Sequence, residues 1–445
     1  MINEVIDEMY HKKEYAKLRD YLREMEPADV AELLTNAELE EDELIIMFRI
    51  LPKELAADVF VEMEPDMQET LIKSFSDKEL EEVMDQLYLD DTVDIIEEMP
   101  ANVVRRILRH TDPELRRSIN TVLHYPKDSA GSIMTIEYVD LRKDMTVLDA
   151  FTRIRRVGID KETIYTCYVI QPDRKLIGMV SVKTLLLSNY EDKIEDIMET
   201  NVIYTTTLED QEEVADMFTK YDFIALPVVD SEERLVGIIT VDDVMDVIEQ
   251  EATEDIEKMA AIVPSEHPYM KSSTLELYKK RIVWLLFLMI SATFTGLIIT
   301  NFEEALTAYM LAAYIPMLMD TGGNAGSQAV TTVIRALSLD EIEPADVLKV
   351  VWKEIRVATC IGLTLAPVCM LKVLVLDHRG IMTAVVVGLS IFFAVIFAKT
   401  FGCMLPLFGK KIGLDPAVMS SPLLTTIVDA VTLLIFFTIA SNLLM

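Results

Sequence analysis

The stretch that decides the fold is Pro316-Met317-Leu318-Met319-Asp320-Thr321-Gly322-Gly323-Asn324-Ala325-Gly326-Ser327-Gln328. It places a proline, three glycines and several polar side chains inside a region otherwise apolar enough to cross a membrane. Hydrocarbon offers no partner to an unpaired peptide group, so such residues are tolerated there only where the chain packs against protein or lines a wet cavity. We therefore expect a break in a membrane helix, with glycine carbonyls freed to face a permeation pathway.

Charge and hydrophobicity divide the chain into two parts. Residues 281–445 contain only 11 of the 75 Asp and Glu residues, together with 10 of the 41 Lys and Arg residues. Residues 1–280 therefore carry a net charge of −33, and the remainder carries −1. An acidity this strong argues against a nucleic-acid partner and against docking on anionic lipid, and it favours cations as ligands.

The apolar part contains five runs that are each long enough to span a bilayer. They lie near residues 282–300, 305–336, 354–376, 381–408 and 417–444. Lys280, Lys353 and Lys410 mark the ends that the positive-inside rule assigns to the cytoplasm. The sequence predicts a multi-pass protein of the plasma (inner) membrane, with cytoplasmic N-terminal domains and the C-terminus outside. The acidic start of the chain, which has no apolar signal region, agrees with that orientation.

The fifth run contains a single carboxylate, Asp429, roughly midway along it. A charged side chain at that depth costs at least ~2.5 to 3.5 kcal/mol unless it faces water, a cation or a partner, and this run contains no base. We therefore interpret Asp429 as a cation ligand, the alternative being an acid satisfied by a neighbouring helix. Gly323 and Asn324 lie at a comparable depth, and oxygen ligands at one level suit a hard cation. Asp320 and Asp415 are weaker pore candidates, because either suits a helix cap.

The acidic part contains a tandem repeat. Leu176–Leu186 aligns with Leu235–Met245, and each copy predicts a helix, a β-branched strand (166–170 or 225–229), a turn, a second strand around glycine and a closing helix. The repeat resembles a tandem cystathionine-β-synthase-type (CBS) module over residues 131–250, with copies at about 131–192 and 193–250. Residues 1–130 show helical spacing with prolines at the turns, which resembles a small right-handed helical superhelix.

The whole order closely resembles the MgtE-type magnesium transporters. The sequence predicts a multidomain protein: an all-α superhelical N-terminal domain (1–130), an α/β tandem CBS module, a linking helix region (243–275) and an all-α transmembrane bundle of five helices per subunit (276–445). The resemblance implies a homodimer in the lipid bilayer with one pore on its symmetry axis. It further implies that Asp429, Gly323 and Asn324 bind the transported Mg²⁺, an ion that keeps its waters and needs few carboxylates.

The resemblance also gives the acidic half a regulatory role. Carboxylates brought face to face repel one another unless a divalent cation bridges them, so cytosolic Mg²⁺ favours a compact state in which the linking helix closes the pore. Helical spacing puts Asp243 with Asp246, and Glu251 with Glu254 and Asp255, on common faces. Matching positions give these predicted regulatory ligands: Asp58, Asp90, Asp94, Glu212, Asp222, Asp243, Asp246, Glu251, Glu254 and Asp255.

Nucleotide regulation and catalysis are both disfavoured. Lys183-Thr184 stands where the family's nucleotide-binding first CBS copy carries an acid, which argues against ATP as a ligand. No grouping of nucleophile, base and orienting residue and no phosphate-binding glycine loop with lysine occurs in the sequence, so we expect no enzyme.

Three alternative functions remain open. A lone titratable carboxylate at the midplane also suits a secondary exchanger that couples Mg²⁺ to Na⁺ or H⁺. An oxygen-lined pore also admits other divalent ions such as cobalt or manganese, although it gives no preference for soft metals. The third alternative is a membrane-anchored CBS sensor that binds divalent cations and conducts nothing.

Overall fold

The computed structural model describes most of the chain as two compact units, Met1–Ile248 and Glu249–Met445. The described residues are 6, 9–36, 39–264, 269, 272–302, 310–339, 341–419 and 421–444. The fold is multidomain, with a helical region and two small α/β sheets in the first unit and long apolar helices in the second.

The first unit begins with a series of short helices. They are α1 (Tyr15–Leu22), α2 (Pro27–Asn36), α3 (Glu41–Ile50), α4 (Lys53–Val61), α5 (Pro65–Ser74), α6 (Asp77–Met84), α7 (Leu89–Glu98), α8 (Ala101–His110) and α9 (Pro113–Val122). Each helix from α1 to α7 packs against the helix two places further along, so the series forms a stack. Local signals set the helix starts: Pro65 occupies the first turn of α5, and Ser76 and Glu79 cap α6 reciprocally.

The CBS pair follows as two similar sheets. Its elements are β1 (Val139–Leu141), α10 (Val147–Val157), β2 (Thr166–Ile170), β3 (Leu176–Ser181), α11 (Val182–Leu187), α12 (Ile194–Ile197), β4 (Thr205–Thr206), α13 (Gln211–Tyr221), β5 (Ala225–Val229) and β6 (Leu235–Thr240). In each sheet the first strand runs parallel to the second, and the second pairs antiparallel with the third. Strands β2 and β5 have the predicted bounds.

Glycines at equivalent positions of the two copies let another segment of the same chain pass close to the strand. A Cβ at Gly178 would meet the carbonyl oxygen of Glu199 at 3.0 Å, and one at Gly237 would meet that of Thr135 at 2.7 Å. The segments that approach so closely pair through isolated bridges to β3 and β6. Both positions therefore need glycine for the same packing reason, which explains why the repeat is centred on them.

Helix α14 (Val241–Met259) continues from β6 and crosses the boundary between the units. The second unit then contains α15 (Thr274–Asn301), α16 (Ile315–Ser338), α17 (Val347–Val375), α18 (Ile381–Lys411) and α19 (Ser421–Leu444). Helix α16 packs against α18 and α19, α17 packs against α18, and α15 packs against α19.

The expected break in the second apolar run is wrong. Helix α16 continues without interruption through Gly322, Gly323 and Asn324. Pro316 lies in its first turn, where the missing amide hydrogen costs nothing. The helix begins at Ile315, whereas the predicted run began at residue 305, and residues 303–309 lie outside the described part of the chain.

Four helices in the described residues are long and apolar enough to cross a membrane. They are Thr274–Asn301, Pro344–Val375, Ile381–Lys411 and Pro422–Leu444. The predicted count of five spans is therefore not confirmed by length and composition. The helix that falls short is α16, because polar residues such as Asp320, Asn324 and Gln328 interrupt its apolar sequence.

The glycines of α16 serve close packing. A Cβ at Gly322 would meet Oγ1 of Thr432 on α19 at 2.9 Å, and one at Gly326 would meet a side-chain carbon of Leu424 at 2.8 Å. On α18, a Cβ at Gly402 would meet the carbonyl oxygen of Gly326 at 2.7 Å. Small residues are what membrane helices use to bring their backbones together. The glycine-rich stretch is therefore a packing face of an intact helix.

This packing predicts opposite outcomes for two glycine substitutions. Gly402→Ala forces a methyl group into the backbone of Gly326, so we expect it to destabilise the membrane half by about 1 to 3 kcal/mol. Gly296→Ala, on α15, has nothing within 4 Å of the added Cβ and serves as the matched control. Thermal unfolding of both variants in detergent measures the difference, and equal unfolding temperatures would contradict the close approach of α16 and α18.

Candidate functional site

Helix α16 has two faces of different character. Its buried face includes the glycines and Leu318, Ala329 and Val333, whereas Asp320, Asn324 and Gln328 are exposed at a spacing of one helical turn. Arg335 extends the same exposed series towards the end of the helix. Hydrocarbon does not tolerate such a series, so this face requires water or a second protein surface.

Asp429 lies on α19 where that helix packs against the glycine face. A Cβ added at Gly323 would lie 3.3 Å from Cγ2 of Thr425, which is one turn before Asp429. Asp429 is half-buried, and Asp320 is close enough for its charge to act on Asp429. The structure therefore brings Gly323, Asp320 and Asp429 into one region and leaves Asn324 on the adjoining exposed face.

A separate ion pair lies within the helical bundle. Nζ of Lys399 on α18 is 3.5 Å from a carboxylate oxygen of Glu354 on α17, and their side chains are only 6% and 13% exposed. The pair neutralises the cation inside the bundle. A buried lysine without such a partner would carry a large desolvation cost, so this contact accounts for Lys399 without a role in ion binding.

Acidic side chains converge in the first unit between α7, the first CBS copy and the start of α14. Burial and repulsion by Asp243 raise the pKa of Asp90 well above its usual range. Surrounding protein atoms and repulsion by Asp243 raise the pKa of Asp94 to about 7, although Asp94 is an exposed residue by accessible surface. Burial is also the main cause that raises the pKa of Asp243 to about 7. The predicted ligands Asp90, Asp94 and Asp243 thus meet at one place.

Three further acids belong to this cluster and were not predicted. Burial and repulsion by Asp242 and Asp243 raise the pKa of Glu162 to about 8, and burial with repulsion by Asp242 raises that of Asp91 to about 6. One carboxylate oxygen of Glu162 is buried without a hydrogen-bond partner among the described residues. Glu162 belongs to a loop of the first CBS copy that no motif marks, so only the fold reveals its proximity.

We call Asp90, Asp91, Asp94, Glu162, Asp242 and Asp243 the interdomain acidic cluster. In the part of the chain that the structure describes, no three His, Cys, Asp or Glu side chains converge closely enough to hold a metal ion. The cluster therefore has the charge for a divalent cation and lacks a closed coordination shell. Closing around an ion requires movement of the elements that carry these carboxylates.

The other predicted regulatory ligands of the first unit are not members of the interdomain acidic cluster. Asp58, on α4, is near enough to act on the charge of Asp91. Glu212 lies in the first turn of α13, and Asp222 ends that helix in a left-handed conformation with φ of 54°. Asp246 is exposed on α14. Their role as metal ligands stays a prediction.

In the second unit, Glu254 and Asp255 lie on α14 with Glu251 one turn earlier, and a lysine joins them. Nζ of Lys258 is 2.5 Å from Oε1 of Glu254 and 2.6 Å from Oδ2 of Asp415. Burial, followed by repulsion from Asp415, raises the pKa of Asp255. Asp415, a weaker pore candidate by sequence, therefore binds the linking helix.

Three family descriptions match successive parts of the chain and leave residues 251–314 unmatched. "Divalent cation transporter" matches residues 315–439, "MgtE intracellular N domain" matches residues 4–128, and "CBS domain" matches residues 130–189 and 194–250. The three matches follow the order of the helical stack, the CBS pair and the long apolar helices.

Two relatives that match over nearly their whole length are both named as magnesium transporters. The chain is 37% identical to a magnesium transporter MgtE of Thermus thermophilus, over 96% of this chain and 95% of the relative. It is 32% identical to that of Bacillus subtilis, over 96% and 94%. Among solved structures, the cytosolic domain of the Mg²⁺ channel MgtE in complex with ATP matches with a TM-score of 0.52 and 36% identity, covering 55% of this chain and 99% of that one. The chain therefore belongs to the MgtE family of divalent cation transporters.

Proposed function

We propose that two copies of this chain form a magnesium-selective pore in the plasma (inner) membrane, and that cytosolic Mg²⁺ closes it. The relatives named as magnesium transporters match over almost their whole length. The observation that carries the proposal is the polar face of α16, with Asp320, Asn324 and Gln328 exposed beside the helix that bears Asp429. A polar face next to a membrane carboxylate suits the conduction of a hydrated cation.

The pore chemistry fits magnesium. Mg²⁺ loses its waters reluctantly and prefers octahedral oxygen coordination, so a pore holds it best with few carboxylates and with most of its waters in place. Asp429 supplies the charge, and Asn324 supplies an amide oxygen. The carbonyl of Gly323 lies in an intact helix, and a helical carbonyl retains a lone pair after its internal hydrogen bond. Gly323 therefore remains in the proposed ligand set without an unwound segment.

A homodimer explains why one carboxylate per chain suffices. Symmetry brings a second Asp429 to the same level, and the polar face of one α16 then meets its copy across water. Much apolar surface remains for lipid and for a second copy, since only 6% of the most apolar 18-residue stretch of α15 is buried. The proposed topology has the N-terminal domains in the cytoplasm and the C-terminus outside.

Asp429→Ala tests the pore. We expect the variant to insert into membranes and to show no Mg²⁺ flux above background in proteoliposomes, because the only carboxylate of α19 is lost. Asp377→Asn is the control, since Asp377 lies in the turn between α17 and α18, where it pairs with Lys372 at 2.8 Å. Wild-type flux through Asp429→Ala would contradict the pore assignment. Flux that depends on a Na⁺ or H⁺ gradient would favour an exchanger, and Mg²⁺ binding without flux would favour a sensor.

The interdomain acidic cluster gives the gate its sensitivity to Mg²⁺. Its carboxylates repel one another when both ions and protons are scarce, and a divalent cation removes that repulsion. Moving a gate from 1:99 to 99:1 takes about 5.5 kcal/mol of differential binding, which several weak sites can share. We therefore infer that Mg²⁺ stabilises the compact first unit and, through α14, the closed pore.

The raised pKa values predict how the stability of the first unit depends on pH. Unfolding returns each carboxyl to its usual pKa near 4, so the folded form binds more protons and its stability falls as pH rises through the folded values of about 6 to 8. In EDTA, we expect a lower unfolding temperature at pH 8 than at pH 6, and millimolar Mg²⁺ should reduce that difference.

Glu162→Gln isolates the contribution of the unpredicted member. It removes a carboxyl whose pKa is raised to about 8, so the loss of stability between pH 6 and pH 8 should become smaller. The control is Glu191→Gln, an exposed glutamate of the same CBS copy. An identical pH dependence in wild type and Glu162→Gln would show that Glu162 is no part of the cluster.

ATP remains an open ligand of the CBS pair. The solved relative was crystallised with ATP, whereas here Lys183 is exposed on α11 and the hydroxyl of Ser181 caps that helix through the amide of Thr184 at 3.0 Å. The position offers no carboxylate to a ribose. Weak or absent ATP binding therefore stays our expectation for this chain.

A further inference from the structure

Lys258 connects two parts of the second unit that are far apart in sequence. Its ammonium lies between Glu254, one turn earlier on α14, and Asp415, which follows α18. The lysine side chain is only 23% exposed, and those of Glu254 and Asp415 are 36% and 33% exposed. The contact is therefore partly shielded from water and differs from an ordinary surface ion pair.

Asp415 is itself held in place. Its second carboxylate oxygen accepts a hydrogen bond from the backbone amide of Ala417 at 2.7 Å, which caps the 3₁₀ turn Pro416–Met419. That turn precedes α19, which carries Asp429. One carboxylate thus joins the base of the proposed pore helix to the cation on α14.

Two neighbouring contacts support the same docking. Met259, next to Lys258, packs against the apolar core that includes Val428 and Phe437 of α19. Further along, the backbone amide of Val263 donates to the carbonyl of Lys280 on α15 at 3.2 Å. Apolar, backbone and ionic contacts therefore all hold the end of α14 against the membrane half of this unit.

We propose that Lys258 is a positioning residue that acts as a tethered cation, docking the end of α14 at the base of α19 without magnesium. This role rests on the proposed function. It means that Lys258 determines the fraction of pores that stay closed when cytosolic Mg²⁺ is absent. Its ammonium partly neutralises Glu254, Asp255 and Asp415, and removal leaves three carboxylates that repel one another. Mg²⁺ then shifts further towards the docked state an equilibrium that Lys258 already favours.

Lys258→Met tests this role, with Lys258→Arg as the conservative variant that keeps the charge. Charge-assisted contacts of this kind shift an equilibrium by about five- to thirty-fold. In EDTA, we expect amide hydrogens of residues 249–259 to exchange about five-fold faster or more in Lys258→Met than in wild type, and Lys258→Arg to restore their protection. Hydrogen–deuterium exchange of the full-length protein in detergent measures this without any need for transport.

Asp415→Asn and the double variant Lys258→Met with Asp415→Asn show whether Lys258 acts through its contact with Asp415. Asparagine keeps an oxygen for the amide of Ala417, so the cap remains while the charge is lost. If Lys258 acts through Asp415, the double variant exchanges little faster than either single one, because the effects of contacting partners do not add. Lys411→Met, which removes an exposed cation at the end of α18, is the control and should match wild type.

Flux provides the functional readout. Mg²⁺ supplied on the outer side, with EDTA on the cytoplasmic side, should pass faster through Lys258→Met than through wild type, and saturating cytoplasmic Mg²⁺ should still close the variant. Unchanged protection of residues 249–259 in Lys258→Met would overturn the proposal even if wild type conducts Mg²⁺. Faster exchange in a protein that gives no flux would support the docking role and contradict the proposed pore.

Discussion

A polar helix face cannot lie against hydrocarbon, and the arrangement of the membrane half depends on this constraint. Glycines let α16 pack closely against α18 and α19, so its small residues are buried and Asp320, Asn324 and Gln328 project from the other side. Water or a second protein surface can satisfy those polar groups, whereas lipid cannot. In the proposed pore, Asp429 beside this face gives the pathway its charge.

Negative charge is the second organising feature, and the two units differ in whether a basic side chain lies beside their acidic residues. Among the described residues, no lysine or arginine pairs with the carboxylates of the interdomain acidic cluster. Burial, followed by repulsion from other acids, raises the pKa values of Asp90, Glu162 and Asp243. At the end of α14, Lys258 compensates part of the charge within the chain. In the proposed mechanism, the first arrangement makes folding and docking respond to a cation from solution. The second sets the fraction of pores that are closed when no such cation is present.

The sequence predicted some features closely because they depend on local patterns. Strands β2 and β5 have the expected bounds, since β-branched residues and a repeat define them. The break at Gly322 was wrong because close packing outweighs the low helix propensity of glycine. Glu162 and the pairing of Lys258 with Asp415 were missed because tertiary structure alone brings them to their partners, in the second case across 157 positions. One face of α16 is buried and the other is exposed because of the helices that pack against it. A local sequence pattern does not identify those helices.

Accessibility of Gln328 tests the central claim that the polar face of α16 lines the pathway. With the exposed Cys360 replaced by serine, Gln328→Cys should react with a charged, membrane-impermeant thiol reagent, and the reaction should block Mg²⁺ flux. Leu297→Cys, on the exposed apolar surface of α15, is the control and should neither react nor lose flux. Unmodified Gln328→Cys, or full flux after its modification, would contradict the account.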